Sequence, residues 1–216
     1  MNALVERVSR SVRRAMAGDG TGHDWWHVWR VWRTAERLAK REPRADRTVV
    51  SLGALLHDLG DWKFHGGDAE AAPREAARLL RRFKADAALC RQVEQVCREV
   101  SFKGARVADR PTTLEARIVQ DADRLDALGA VGIARTFAYG GAKGRSIYEP
   151  GVSPVLHGSF AAYQKSKSHT INHFHEKLLL LKDRLHTREA RRIARERHDY
   201  LVGFLKRFHA EWDGRA

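Results

Sequence analysis

The chain has 216 residues, 43% hydrophobic and 31% charged, a composition that excludes intrinsic disorder and suffices for one good core. No apolar run approaches the roughly 18 residues that a membrane span needs. The 40 basic against 27 acidic side chains give +13, which favours polyanionic partners, yet the charge is spread along the chain without forming an arm or tail.

Helical periodicity dominates in chain order. The N-terminal "MNALVERVSRSVRRAMAG" alternates charged and apolar residues and reads as an amphipathic helix rather than a signal peptide. Val28, Val31, Trp32, Ala35, Leu38 and Ala39 follow the i, i+3, i+4 spacing of a second helix face. "RTVVSLGALLHDLG" reads as a short, nearly all-apolar helix that Gly60 terminates. The stretch 61–75, "DWKFHGGDAEAAPRE", reads as a loop.

Leu89, Val93, Val96 and Val100 mark the next helix, which also carries Cys90 and Cys97. Seven residues are about 10 Å of helix rise, too far for an easy disulfide, so the two are expected as core thiols in a reducing cytoplasm. "TTLEARIVQDADRLDALGAVGIARTFAYGG" reads as one helix from just after Pro111 to Gly140–Gly141, with Thr112 or Thr113 as N-cap. The stretch 142–159 reads as a long loop, a length that raises the question of an active-site lid. Ile193, Ala194, Leu201, Phe204, Leu205, Phe208 and Trp212 trace a long amphipathic C-terminal helix. Strand-like segments are scarce, no glycine-rich phosphate loop follows one, and there is no internal repeat or linker. The expected class is all-α, a single domain over 1–216 with helices of about 157–213 packing on the same core as those of about 20–140.

Three elements carry chemistry: His27 on the second helix, His57–Asp58 in "LLHDLGD", and the acidic cluster "QDADRLDA". Adjacent His57 and Asp58 cannot both face an apolar core without compensation. Imidazole nitrogen and carboxylate oxygen from separate helices form a mixed donor set that suits divalent Mn, Fe, Ni, Co or Zn and tolerates Mg. The structural alternative is a satisfied core histidine, since the chain has 11 His and His23–Asp24 is a second such pair. Asp121 and Asp123 lie about 200° apart around a helix, so a regular helix cannot aim both at one ion.

The order His27, His57–Asp58, then an aspartate in "ADRLD" resembles the "H…HD…D" signature of the HD-domain metal-dependent phosphohydrolase superfamily. "HDWWHVWRVWRTA", "LLHDLGDWKF", "VSFKG", "IVQDADRLDALGAVGIARTF" and the stretch from "INHFHEK" to "AEWDG" are similar to the small stand-alone bacterial members, over most of residues 20–214. The resemblance implies an HD-type helical bundle and one divalent ion, Mn2+ favoured, held by His27, His57, Asp58 and Asp123. It implies hydrolysis of a phosphate ester or anhydride of a small metabolite by direct attack of activated water. A nucleotide is the favoured substrate, with a nucleoside triphosphate giving monophosphate and pyrophosphate as the specific expectation.

Asp61, three residues after Asp58, is then the candidate general base or water-positioning group, with pairing to Lys63 as its structural alternative. Arg30, one turn from His27, is the best-placed cation, and Lys63, Lys103, Arg124 and Lys177 are further candidates for substrate oxygens. Trp25 and Trp26 stand beside the site as candidate stacking residues or as core anchors. Two other readings compete: a basic helical nucleic-acid-binding protein with a structural metal, and a phosphodiesterase acting on a signalling nucleotide or nucleic acid. Nucleic acid is the less favoured partner, no membrane partner is expected, and the expected compartment is the cytoplasm.

Overall fold

Side-chain caps and apolar spacing start the helices that carry the candidate residues. The computed structural model describes residues 2–16, 22, 24–59, 68, 70–108, 111–165 and 168–216, and among these every regular element is helical. Helix α1 (Ala3–Ala15) begins at Asn2, whose side chain accepts the Leu4 N–H, and it buries Val5, Val8 and Val12. Helix α2 (Trp25–Ala39) begins at Asp24, which accepts the His27 N–H and so fixes the turn that carries His27. Helix α3 (Arg47–Leu56) is capped by Asp46 and is buried at every position from Val49 to Leu56.

Then follow α4 (Ala71–Arg82), α5 (Ala87–Val100), α6 (Leu114–Asp126) and α7 (Gly129–Ala142). The short α8 (Phe160–Gln164) and α9 (Thr170–Glu176), a 3₁₀ helix (Leu178–Arg184) and the long α10 (Arg188–Trp212) complete the order. Helix α2 packs on both α3 and α6, α5 backs α3 and α6, α4 covers α5, and α10 closes over α6 and α7. The apolar core is continuous from Val5 on α1 to Leu205 on α10. Cys90 and Cys97 are buried and unbridged. Burial pushes the Cys97 thiol up to about 12, which leaves it an inert core residue. Among the described residues no helix is long and apolar enough to cross a membrane.

The structure corrects three local expectations and, for the cap of the helix after Pro111, decides between the two expected threonines. The single helix expected from Pro111 to Gly140–Gly141 is two helices, α6 and α7. Ala127 and Leu128 donate back to the Arg124 and Leu125 carbonyls, Leu128 is extended, and Gly129 turns the chain with φ +74°. The cap of α6 is Thr113, whose Oγ1 accepts the Ala116 N–H, while Thr112 bonds to Glu99. Helix α3 ends at Leu56, and His57–Leu59 form a turn before Gly60, which lies outside the described residues. Of the loop expected at 61–75, positions 61–67 also lie outside them, whereas 71–75 open α4.

The segment 143–159 is free of helix and is tied down at several points. Thr170 and Ile171 N–H groups donate to the Ser146 and Ile147 carbonyls, and the Asn172 amide donates to the Val152 carbonyl. The Val155 N–H reaches buried Glu176 at 3.0 Å, and Arg106 N–H donates to the His157 carbonyl.

Candidate metal centre

His27 enters from the first turn of α2, His57 and Asp58 from the turn that ends α3, and Asp123 from the last turn of α6. The nearest His27, His57 and Asp123 ligand atoms all lie within 4.8 Å of one another. His27 Nε2 is 3.1 Å from Asp58 Oδ2 and 3.5 Å from Asp123 Oδ1. His57 Nε2 is 3.6 Å from Asp58 Oδ1 and 3.8 Å from Asp123 Oδ1, past hydrogen-bond reach, so the carboxylates act on this ring by charge. The imidazoles meet edge to face with centroids 5.3 Å apart.

The two rings are oriented by their other nitrogens. His27 Nδ1 donates to Asp126 Oδ2 at 2.7 Å, and His57 Nδ1 donates to the Ala54 carbonyl at 2.8 Å. In neutral rings this puts both protons on Nδ1 and points both Nε2 lone pairs at Asp58 and Asp123. A lone pair facing carboxylate oxygens is repulsive unless a proton or a cation lies between them. The donor set therefore fits a divalent cation, with two imidazoles braced in the manner of metal-binding histidines.

The same crowding shows in the titration behaviour. Burial works against protonating His57, but Asp58 and Asp123 overcome it and push the ring up to about 9. Burial works to raise Asp123, and the facing His57 and His27 rings instead hold it well below the usual carboxylate range. A cluster that gathers positive charge this strongly when metal-free is electrostatically suited to a dication. The side chain of Asp123 is 27% exposed and that of Asp58 is 13% exposed, so the cluster has one solvent-facing side.

Asp126 is the second centre of the arrangement. Besides His27 it takes Arg30, through Nε at 2.6 Å and Nη2 at 3.1 Å, and Arg135 Nη1 at 2.9 Å. Arg30 thus stands where its spacing from His27 places it, joined to the cluster through Asp126. Arg135 on α7 carries no motif signal, and nothing in the sequence pattern singles it out. Asp121 faces away from the cluster and accepts the His186 and Thr187 N–H groups at 2.8 and 2.7 Å.

The remaining candidates divide. Arg124 is buried and donates to the Arg184 carbonyl. Lys103 is exposed on the loop after α5, and Lys177 Nζ sits 5.2 Å over the Phe102 ring of that loop. Asp61 and Lys63 lie outside the described residues. Trp26 is exposed and meets Trp29 edge to face, whereas Trp25 packs against the core.

The profile of the HD domain family matches residues 25–128, a span that contains His27, His57–Asp58 and Asp123. The fold resembles that of a protein from Lactobacillus plantarum, with TM-score 0.88 and 32% identity over 99% of each chain. It also resembles an HD-superfamily hydrolase from Bacillus thuringiensis, with TM-score 0.71 and 35% identity over 97% of this chain and 96% of that one. YpgQ of Bacillus subtilis, whose structure is known in complex with ADP, matches with TM-score 0.74 over 98% of this chain and all (100%) of its own. In sequence YpgQ is 34% identical over 97% of this chain and 94% of its own length. Likeness of this extent, with the His, His-Asp and Asp positions in order inside the matched span, is more than shared architecture: the chain belongs to the HD domain family.

Proposed function

We propose that the protein is a metal-dependent phosphohydrolase acting on a phosphate ester or anhydride of a small metabolite, with a nucleotide as favoured substrate. The observation that carries this reading is the convergence of both Nε2 atoms on Asp58 and Asp123 at a solvent-facing edge. His27, His57, Asp58 and Asp123 would hold one divalent ion, Mn2+ favoured, which when bound supplies Lewis acidity toward a phosphoryl oxygen and acidifies water. Asp126 and the Ala54 carbonyl keep the two imidazoles in the tautomer that can ligate. Arg30 presents a guanidinium one helical turn from the cluster, where it neutralises substrate oxygens. Asp61 remains the proposed water-orienting base, and Lys63, Lys103 and Lys177 are proposed to meet the more distant parts of the substrate. The complex of YpgQ with ADP supports a nucleotide preference, and release of pyrophosphate from a nucleoside triphosphate is the specific form of the proposal.

The test is purified protein with Mn2+ and a panel of phosphate esters, nucleotides and anhydrides, with phosphate and pyrophosphate detected separately. Turnover that falls at least a hundredfold in His57→Ala and Asp58→Ala supports the reading, and no turnover of any compound removes it. The +13 charge favours a second reading, binding of nucleic acid or hydrolysis of its phosphodiesters. Pure binding predicts salt-sensitive retention on RNA or DNA that His57→Ala leaves intact.

A further inference from the structure

We propose that Arg30 and Arg135 form a second anion subsite beside the metal centre, one that takes the neighbouring phosphate of a substrate with linked phosphates. This deepens the phosphohydrolase reading and rests on it for the subsite's use in catalysis. The ligand class follows from repeated geometry. Asp123 and Asp126 are three residues apart on α6, as His27 and Arg30 are on α2, and three residues are about 4.5 Å of helix rise. Two charged pairs therefore lie in tandem along the packed helices, His27 with Asp123 at 3.5 Å and Arg30 with Asp126 at 2.6 Å. The first pair belongs to the metal centre. The second is one turn further on, and α7 adds Arg135 to it at 2.9 Å.

The charges at the second pair do not cancel. A dication at the cluster would be balanced by Asp58 and Asp123. Asp126 balances one guanidinium, and among the described residues no other carboxylate bonds to Arg30 or Arg135. Both Asp126 oxygens are taken: Oδ1 by Arg30 Nε, and Oδ2 by Arg30 Nη2, Arg135 Nη1 and His27 Nδ1. The remaining Nη1 of Arg30 and Nη2 of Arg135 lie outside these bonds. Two guanidiniums against this one carboxylate leave the surplus positive. Two guanidiniums sharing one carboxylate are poor economy for a structural ion pair, and a good match for the oxygens of a phosphate.

Access and positioning agree with this. The side chain of Arg30 is 30% exposed, while that of Arg135 is 12% exposed and held from above. Gly22, with φ +81°, lies directly on the Arg135 stem, and a Cβ there would stand 2.8 Å from Arg135 Cβ. A monoester can engage only the metal centre, whereas a phosphoanhydride such as a nucleoside di- or triphosphate engages both pairs.

The experiment is calorimetric titration of the Mn2+-loaded protein with non-hydrolysable methylenediphosphonate and, separately, with methylphosphonate. It is run on wild type, Arg135→Gln, Arg135→Lys and Arg30→Gln after each variant's Mn2+ affinity has been measured. The expected result is diphosphonate binding weakened at least tenfold by either glutamine variant and less by Arg135→Lys, with methylphosphonate binding unchanged in the two Arg135 variants. Equal diphosphonate affinity in wild type and Arg135→Gln overturns the proposal, as does a wild type with no preference for the diphosphonate. Should Arg135→Gln fail to fold, Arg135→Lys carries the same comparison and Arg30→Gln its diphosphonate arm. If wild type hydrolyses no phosphate compound yet Arg135→Gln still loses diphosphonate affinity, the phosphohydrolase reading fails and the subsite stands. Turnover that falls equally for anhydride and monoester in Arg135→Gln overturns the subsite and leaves the phosphohydrolase reading in place.

Discussion

Asp126 joins two tasks in one carboxylate, because the oxygen that orients His27 also receives both arginines. Asp126→Asn keeps the shape but offers one acceptor oxygen in place of two and removes the charge that favours the Nδ1–H tautomer. Partners of this kind are typically worth about 10–100-fold in metal affinity. A loss of that size is expected for Asp126→Asn in competition with a chromogenic chelator, and an unchanged affinity would show that His27 is oriented by packing alone. His57 makes a separate, pH-dependent prediction. Its folded pKa, about 9, lies above the ordinary imidazole value of 6.5. In the metal-free protein its charge therefore stabilises the fold fully below about pH 6.5, and that contribution is lost as pH rises through about 9. A metal ion binds only the neutral ring, so ion and proton compete. Apparent Mn2+ affinity should rise about tenfold per pH unit from 7 toward 9 and then level off. A flat profile over that range would mean that His57 does not ligate.

At the scale of elements, Asp121 shows how the C-terminal half is fastened to the site-bearing helices. Its oxygens accept the His186 and Thr187 N–H groups just before α10, and Thr187 in turn caps α10 by accepting the Ala190 N–H. Burial pushes Asp121 up to about 6 despite these bonds. Asp121→Ala would leave one buried and one part-buried N–H donor unpaired, at about 1–3 kcal/mol for the buried one. An unfolding free energy, read by urea titration, lowered by about 2 kcal/mol or more is expected, with a smaller loss for Asp121→Asn, which keeps one acceptor. The helices themselves were legible in the sequence because caps and apolar spacing are local. Helix α4 was not, because alanines supply much of its buried face and give little hydropathy contrast. The break between α6 and α7 was not legible either, since Gly129 is packed by Arg197 from α10, far along the chain. That break hid Arg135. In one continuous helix, nine residues put Arg135 about 180° from Asp126, on the opposite face. Only the turn at Ala127–Gly129 folds it back to 2.9 Å. The convergence of His27, His57, Asp58 and Asp123 was legible from their order and from the resemblance, whereas Asp126 as the brace of His27 shows only once α2 and α6 are side by side.

For the molecule as a whole, the cluster is a cross-link. Its donors come from α2, the end of α3 and α6, helices that pack on one another although α4 and α5 separate α6 from the other two along the chain. Without an ion, the facing carboxylates and the raised His57 leave the centre dependent on protons for compensation. An ion that binds only the folded state adds stability by mass action, about 2.7 kcal/mol at a hundred times its Kd. For a chain of this size that is a rise in Tm of roughly 5–10 °C. The rise should be saturable and should vanish in Asp58→Ala and His57→Ala, and it should be largely retained in Arg135→Gln, whose side chain reaches Asp126 and not the donors. Surface ion pairs such as Arg37 with Glu189, which also link α2 to α10, are exposed and contribute little by comparison. Thermal melts at rising Mn2+, repeated in high salt, separate the two effects: a metal-dependent rise that survives salt belongs to the buried cross-link. A rise of equal size in wild type and Asp58→Ala would instead place the ion on the surface of a strongly basic protein and remove the cluster from consideration as its site.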